Sequence, residues 1–373
     1  MTSAVHYHVG GFPPRTLDWV PLIPLIGPTS VAIARYDGTL AAVPDPDVLL
    51  GPLTTREAVL SSRIEGTQAT MGEVLEFEAD ASRGTLSESR RGDIQEVLNY
   101  RRAMRAAEEL LGRLPLSLRV VKEIHSVLLD GVRGQGKSPG KFRRIPNWIG
   151  PPGCPIEEAR FVPVSADRLP DATSEWESYL HADTPDRLVQ LAIAHAEFES
   201  LHPFLDGNGR LGRILVPLFL WQHGLVRRPM FYVSAYLEAN RDAYYERLLA
   251  VSRDQDWTGW CRFFLEAVRV QAEENQAKAT AILELYAELK LRVVDLTHSQ
   301  YSIHAVDWIF SNPIFRSTTF VAGAQIPEPT ARRILRILKK ESIIREIEPR
   351  RGNRPALFVF AKLLNIAEGG GVF

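Results

Sequence analysis

The chain has 373 residues, 45% of them apolar and 24% charged, with 44 basic against 45 acidic side chains and a formal net charge of −1. These figures exclude a disordered, fibrous or collagen-like chain and one that is basic throughout, and at roughly 100–200 residues per domain they predict two or three domains. The only cysteines, Cys154 and Cys261, exclude a disulfide scaffold and fit a reducing, cytoplasmic setting.

The start, MTSAVHYHVGG, lacks the basic and apolar regions of a secretory signal. Residues 19–34 are apolar, but Pro21, Pro24 and Pro28 interrupt them. They also fall short of the ~20 residues a membrane span needs, so no membrane partner is expected. The first fifty residues, rich in proline and glycine, are expected as surface loops, with 19–34 as extended segments at the edge of the fold. Periodicity begins at Leu50. Residues 54–66 predict a short helix with Ala58, Leu60 and Ile64 on one face and Gly66 as its stop. A second helix is predicted over 70–79, then a polar loop containing Gly84 and Gly92, then a long amphipathic helix over 93–111. Ser117 opens another, 118–129, which halts at Gly131.

Residues 134–168 differ in kind: glycines and prolines surround two strand-like runs, 147–149 and 160–164, so a hairpin or flap fits better than a helix. Helical periodicity returns over 166–180, 186–201, 209–224, 240–252 and 256–292, which makes the middle of the chain almost entirely α. The C-terminal part has short helical segments at 302–311 and 317–322, the amphipathic run ARRILRILKKESIIRE, and RRGNRPALFVF, a basic turn followed by a strand. That order describes a winged helix-turn-helix. Between Ala331 and Arg354, nine Lys or Arg stand against three Glu, a local charge of +6. A basic recognition helix with a basic wing is the electrostatic footprint of a DNA-duplex binder; the same face in an appended module also reads as a protein contact.

The chemistry concentrates in His202-Pro203-Phe204-Leu205-Asp206-Gly207-Asn208-Gly209-Arg210-Leu211-Gly212-Arg213. A Gly-Asn-Gly turn feeding a helix N-terminus forms an anion cradle, since small residues let backbone N–H groups approach phosphate oxygens and the helix dipole favours negative charge. Arg210 and Arg213 fall one turn apart, so both guanidinium groups are expected to reach that cradle. Asp206 stands where one carboxylate could hold Mg²⁺ against the phosphates. His202 is a candidate general base, with a reference pKa near 6.5.

The string HPFLDGNGRLGR resembles the Fic-family signature HxFx(D/E)GNGRxxR at every fixed position, and its helix-rich surroundings from Leu116 to Ala272 look like a Fic core. The resemblance implies a mainly α fold, a Fic helical core with a β-hairpin flap plus the C-terminal winged helix. It implies an adenylyltransferase that moves AMP from ATP to a Ser, Thr or Tyr hydroxyl of a target protein and of itself. His202 would deprotonate the acceptor and Asp206 would bind Mg²⁺. Gly207, Asn208, Gly209, Arg210 and Gly212 would surround the α- and β-phosphates, with Arg213 on the γ-phosphate.

Ser61-Ser62-Arg63-Ile64-Glu65-Gly66 is similar to the family's inhibitory motif (S/T)xxxE(G/N). By that resemblance Ser61, Glu65 and Gly66 mark an inhibitory helix, and Glu65 pairs with Arg213, displacing the γ-phosphate; alone, Glu65 reads as an ordinary surface carboxylate. In some relatives this glutamate also assists removal of AMP. Arg160, Phe161 and Val162 sit where Fic proteins pair with the target backbone by strand addition, after an insertion over 151–158. Tyr244 and Tyr245 resemble a Tyr-Tyr pair lining the adenosine pocket, and read equally as helix-packing tyrosines. Ser252 stands where some relatives have Asn. The expected organisation is an N-terminal region, 1–115, with the inhibitory helix near 54–66; a catalytic core, 116–275; a connecting helix, 276–300; and a winged-helix domain, 301–373. A homodimer is compatible with the apolar N-terminal region, and the competing functional reading is a nucleotide-sensing, DNA-binding regulator.

Overall fold

The computed structural model describes residues 4–80, 86–132, 136–151 and 153–373. Gly84 and Gly134, both read as loop glycines, lie outside the described residues, as does Pro152 in the insertion. In chain order the elements are β1 (Val5–His6), α1 (Ile23–Ala42), α2 (Pro46–Leu49), α3 (Gly51–Ile64), α4 (Met71–Ala79), α5 (Glu88–Leu111) and α6 (Leu118–Leu128). A 3₁₀ turn (Ile156–Glu158) precedes β2 (Phe161–Val162) and α7 (Leu169–Leu180), α8 (Arg187–Leu201), α9 (Asn208–Gln222), α10 (Ser234–Ala239), α11 (Arg241–Asp254) and α12 (Trp257–Thr297). The remainder is α13 (Ser302–Ser311), β3 (Ile314–Arg316), α14 (Ser317–Gly323), α15 (Glu328–Lys340), β4 (Arg345–Glu348), β5 (Leu357–Val359) and α16 (Ala361–Glu368). These form two compact units, Met1–Asp37 with Leu60–Thr67 and Gln95–Glu273, and Gly38–Val59 with Gln68–Ile94 and Glu274–Phe373.

In the first unit α8 is the central helix. Its sequence, RLVQLAIAHAEFESL, is apolar on nearly every face, as a helix enclosed on all sides must be, and it packs on α7 and α9. Asp186 caps it, accepting the N–H groups of Leu188 and Val189 at 2.9 Å each. The large aromatics around it keep their polar atoms paired: the indole N–H groups of Trp176 and Trp260 donate to the carbonyls of Ala194 and Ala192. α8 ends at His202, whose φ of 44° and ψ of 59° reverse the chain into the turn that feeds α9.

Two expectations need correction. Residues 19–34 are not extended, because α1 is helical over Ile23–Ala42. Pro24 falls in its first turn, where no backbone bond is lost, and burial of Leu22, Ala32, Ile33 and Tyr36 offsets the bond missing at Pro28. The long helix begins at Glu88 rather than 93, running through Gly92 with Ile94 and Val97 buried beyond it. The helix expected over 256–292 is α12, continuous over 41 residues from Trp257 to Thr297.

The flap differs in detail from a plain hairpin. Its antiparallel pairing is a single bridge, Ile149 with Phe161, and β2 also pairs in parallel with β1, Val5 opposite Phe161 and His6 opposite Val162.

In the second unit α2 packs on α13, and β3, β5 and β4 form a three-stranded antiparallel sheet in that order. α15 buries Ala331, Ile334, Leu335 and Leu338 and turns its arginines and lysines outward. Arg316 is buried and bridges Asp80 and Glu348 at 2.9 Å each. Neither β3 nor α16 is foreseen from the sequence. Among the described residues no helix is long and apolar enough to cross a membrane.

Candidate active site

The turn between α8 and α9 is built from beneath by His125 of α6. Its ring stacks on Phe204, with centroids 3.7 Å apart. Nδ1 accepts the Gly140 N–H at 2.8 Å, so Nε2 carries the proton it donates to the Asp206 carbonyl at 2.9 Å. Burial holds this imidazole neutral, with its pKa pushed down to about 4. Within the turn, Asn208 clasps Phe204, accepting its N–H and donating to its carbonyl, both at 2.9 Å. The motif asparagine is therefore a buried clamp on the turn.

Above the turn lies a cleft of about 600 Å³. Its walls include Glu65, Glu199, His202, Gly209, Arg213, Tyr244 and Tyr245, with Trp148, Ile149, Arg160 and Phe161 from the flap. Arg213 is fully enclosed and held by α3: Nε donates to Ser61 Oγ, and Nη2 to both the Ser61 carbonyl and Glu65 Oε1, each at 2.8 Å. Burial opposes its charge most strongly, but Glu65, Tyr244, Glu199 and Tyr245 together more than offset it, so the guanidinium stays protonated. Gly66, at φ +98°, lets the chain leave α3 and puts Glu65 at the helix end, where a side chain with Cβ would be strained. The carboxylate also presses on the first turn of α9: a Cβ added at Gly209 would lie 2.2 Å from Glu65 Oε1. An anionic side chain thus rests against the positive end of a helix, a place that favours negative charge.

His202 is half-buried at the floor, and its Nδ1 has no hydrogen-bond partner. Burial pushes its pKa down to about 4; Glu65 and Asp206 oppose that shift and Arg143 adds to it. At neutral pH the imidazole is free of its second proton, as a base must be. Glu199, one turn earlier on α8, carries an unpartnered Oε1. Burial lifts its pKa to about 7, with Arg213 opposing and Glu65 adding to the rise.

The remaining candidates are dispersed. Arg210 does not line the cleft; it is buried, 3.3 Å from Glu96 Oε2 and 3.4 Å from Asp206 Oδ1. Glu96 also accepts the Thr67 hydroxyl at 2.8 Å. Asp206 takes the Gly207 N–H at 2.7 Å, while its Oδ2 lies 3.4 Å from Lys137 Nζ. A part-exposed carboxylate beside an anion cradle suits Mg²⁺, which typically takes one or two carboxylates and completes its shell with phosphate and water. Among the described residues no cluster of three metal-binding side chains exists, so Asp206 would be the principal protein ligand. Gly212 packs on Glu199, whose Oε1 would lie 2.3 Å from an added Cβ. Tyr244 is buried and its hydroxyl lies 3.0 Å from His195 Nε2; Tyr245 is more open.

At the flap, both edges of β2 are engaged within the chain. The Val5 and Tyr7 N–H groups donate to the carbonyls of Arg160 and Val162, and Ile149 exchanges bonds with Phe161 on the other side. Residues 5–8 are anchored below: Tyr7 and His8 reach the two oxygens of buried Glu197 at 2.6 and 2.9 Å, and His8 Nδ1 lies 2.7 Å from Ser252 Oγ. Ser252 therefore serves the N-terminal strap and does not line the cleft. Glu96, Thr67, Glu199, Glu197 and His8 carry no local signature; each gains meaning only from a partner distant in sequence.

The sequence matches the description "Fic/DOC family N-terminal" over residues 23–109 and "Fic/DOC family" over 115–220, together more than half of the chain. The chain belongs to the Fic/DOC family. It is 28% identical over 178 residues to "Protein adenylyltransferase Fic" of Drosophila willistoni, covering 46% of this chain and 32% of that one. It is 29% identical over 196 residues to a "Probable protein adenylyltransferase" of Aquifex aeolicus, covering 51% and 56%. The match thus spans about a third of the fly relative. In fold it is similar to a Fic family protein from Desulfovibrio desulfuricans, with a TM-score of 0.59, 22% identity, and 93% and 98% of the two chains covered. A Fic domain containing signaling protein from Bacteroides thetaiotaomicron gives 0.54 at 17% identity, covering 69% and 97%.

Proposed function

We propose that this Fic protein transfers AMP from ATP to a hydroxyl of a target protein and of itself, and that Glu65 restrains the reaction. The observation that carries this is the Glu65 carboxylate lodged between Arg213 and Gly209, in a cleft that also holds a neutral histidine. A carboxylate in that position stands in for a phosphate group. With it displaced, Arg213 would pair with the γ-phosphate and the first turn of α9 with the phosphates before it. His202 would take the proton of the acceptor hydroxyl, whose oxygen attacks the α-phosphorus while the bond to pyrophosphate breaks. Asp206 would hold Mg²⁺, which supplies charge neutralisation at the phosphates.

In this reading residues 116–275 are the catalytic core, and Tyr245 and Leu249 offer an aromatic and an apolar wall to the adenosine. A target segment would add to the flap on the outer side of 147–149, where Trp148 and Ile149 keep exposed side chains, since β2 is engaged on both sides. The test is incubation with ATP labelled at the α-phosphate. Glu65→Gly should label itself at least about tenfold faster than the parent, because a charge-assisted pair is worth about 1.5–3 kcal/mol. His202→Ala in that background should take no label. No label in Glu65→Gly would overturn the reading.

One observation favours a second role. Residues 301–373 run helix, strand, helix, helix and hairpin, the order of a winged helix, and α15 and the turn at Gly352 carry outward basic side chains. We infer that this module binds DNA, which would make the protein a regulator whose core senses nucleotide if Glu65→Gly binds ATP but transfers nothing.

A further inference from the structure

Arg143 lies before the flap, outside the family signature, and its side chain is 4% exposed. No carboxylate pairs with it among the described residues; its guanidinium spends its protons on main-chain carbonyls. Nε donates to the His202 carbonyl at 2.9 Å. Nη2 donates to the Leu201 carbonyl at 3.2 Å and to that of Val164, and Nη1 reaches the Ile145 carbonyl at 3.5 Å. Its own backbone N–H donates to the Pro203 carbonyl at 2.9 Å. Three consecutive carbonyls, 201 to 203, are thus held by one residue.

Leu201 is the last residue of α8 and His202 its C-cap, with Pro203 just beyond, and the last C=O groups of any helix lack intrahelical partners and carry the negative end of its dipole. They also flank His202, a non-glycine residue in left-handed backbone at φ 44°. That conformation is unfavourable for an L residue and persists only where its surroundings over-determine it. Burying a guanidinium without a counter-ion is costly as well, and burial pulls its pKa down to about 10. A buried charge whose bonds converge on one strained histidine calls for a role beyond packing.

We propose that Arg143 is the positioning residue for His202: it locks the turn at the end of α8 so that the imidazole stays aimed into the cleft, and it ties that turn to the flap through the carbonyls of Ile145 and Val164. The role rests on His202 acting as the base. The charged groups that face His202 are Glu65 from the end of α3, Asp206 from the turn and Arg143 from before the flap. Burial is the main cause that disfavours the protonated ring, and of these three charged groups Arg143 is the one that adds to it.

The test compares Arg143→Met and Arg143→Lys in the Glu65→Gly background. With α-labelled ATP, Arg143→Met should lower kcat about tenfold to a hundredfold, as expected for a displaced catalytic group, while KM for ATP stays within about twofold. The acid limb of its pH profile should move to higher pH; Arg143→Lys, which keeps the charge, should leave the limb in place and recover part of kcat. Titrating the His202 ring by NMR in the same proteins reads the proton affinity without turnover. A folded Arg143→Met protein with unchanged kcat, or one whose His202 titration and acid limb do not move, would overturn the assignment. Should Arg143→Met not fold, the lysine variant decides: unaltered kcat overturns the proposal, and reduced kcat at unchanged KM and acid limb upholds it. Failure of the Glu65→Gly parent to take label would count against adenylyl transfer instead, and the NMR titration would still decide for Arg143.

Discussion

Arg213 can serve one anion at a time, and in this state the anion is Glu65. Its side chain is 1% exposed against 34% for Glu65, so the arginine is enclosed and the glutamate is the partner that solvent reaches. Gly209 makes that arrangement possible, because any larger residue there would collide with the carboxylate. Gly209→Ala should therefore expel Glu65 and also intrude on the space for phosphate, weakening ATP binding at least about tenfold by calorimetric titration even in a Glu65→Gly background. Glu199 makes a different prediction. Its folded pKa of about 7 lies above the ordinary glutamate value, so between those two limits the folded state binds the extra proton and stability falls as pH rises. Glu199→Gln should be neutral near pH 4 and more stable than the parent above pH 7, by up to about 3 kcal/mol in denaturant titrations. The turn between α8 and α9 is legible because its residues are adjacent in sequence. The roles of Glu199 and Arg143 were not, since one is a carboxyl made unusual only by burial and the other bonds to carbonyls, which leave no mark on composition. Arg210 illustrates the converse: its spacing suggested the cradle, but a buried carboxylate on α5 claims it first.

Among the elements, two are readable to within a residue. The run over 70–79 is α4, whose Thr70 and Glu73 form a reciprocal capping box, and 302–311 is α13. α1 was missed because prolines argue against a helix locally and only its buried face argues for one. β1 was missed because two residues carry no pattern; their strand character comes from β2. That short strap is nonetheless expected to matter. His8 supplies one of the partners of Glu197, a carboxylate with no exposed side-chain surface. His8→Ala should leave that carboxylate under-bonded and cost about 2–3 kcal/mol in thermal or denaturant unfolding. Because β1 pairs with β2, hydrogen exchange at Phe161 and Val162 should accelerate in the same variant, whereas exchange in α9 should not. Uniform acceleration in both would mean that the strap supports the fold generally and not the flap in particular.

For the molecule as a whole, the net charge of −1 is a sum over unlike parts. Residues 331–354 carry +6, which already includes Glu346, the partner of Lys339; Glu328, just outside the stretch, offsets Arg332 as well. What remains on the outside includes Arg336 on α15 and Arg351 and Arg354 flanking the turn at Gly352. If this face binds a duplex, counterion release sets the signature: contact with about five phosphates gives a slope of about −4 to −5 for log affinity against log salt. Replacing Arg336 and Arg351 together by alanine should flatten that slope by about 2 and weaken binding alike for every sequence, because phosphate contacts carry no base information. A gel shift of the full chain with a short mixed-sequence duplex measures both. Absence of retardation at low ionic strength would overturn the duplex reading of this face. The adenylyl transfer proposed for the cleft should not respond to either substitution, since neither arginine lines the cleft that holds His202 and Arg213.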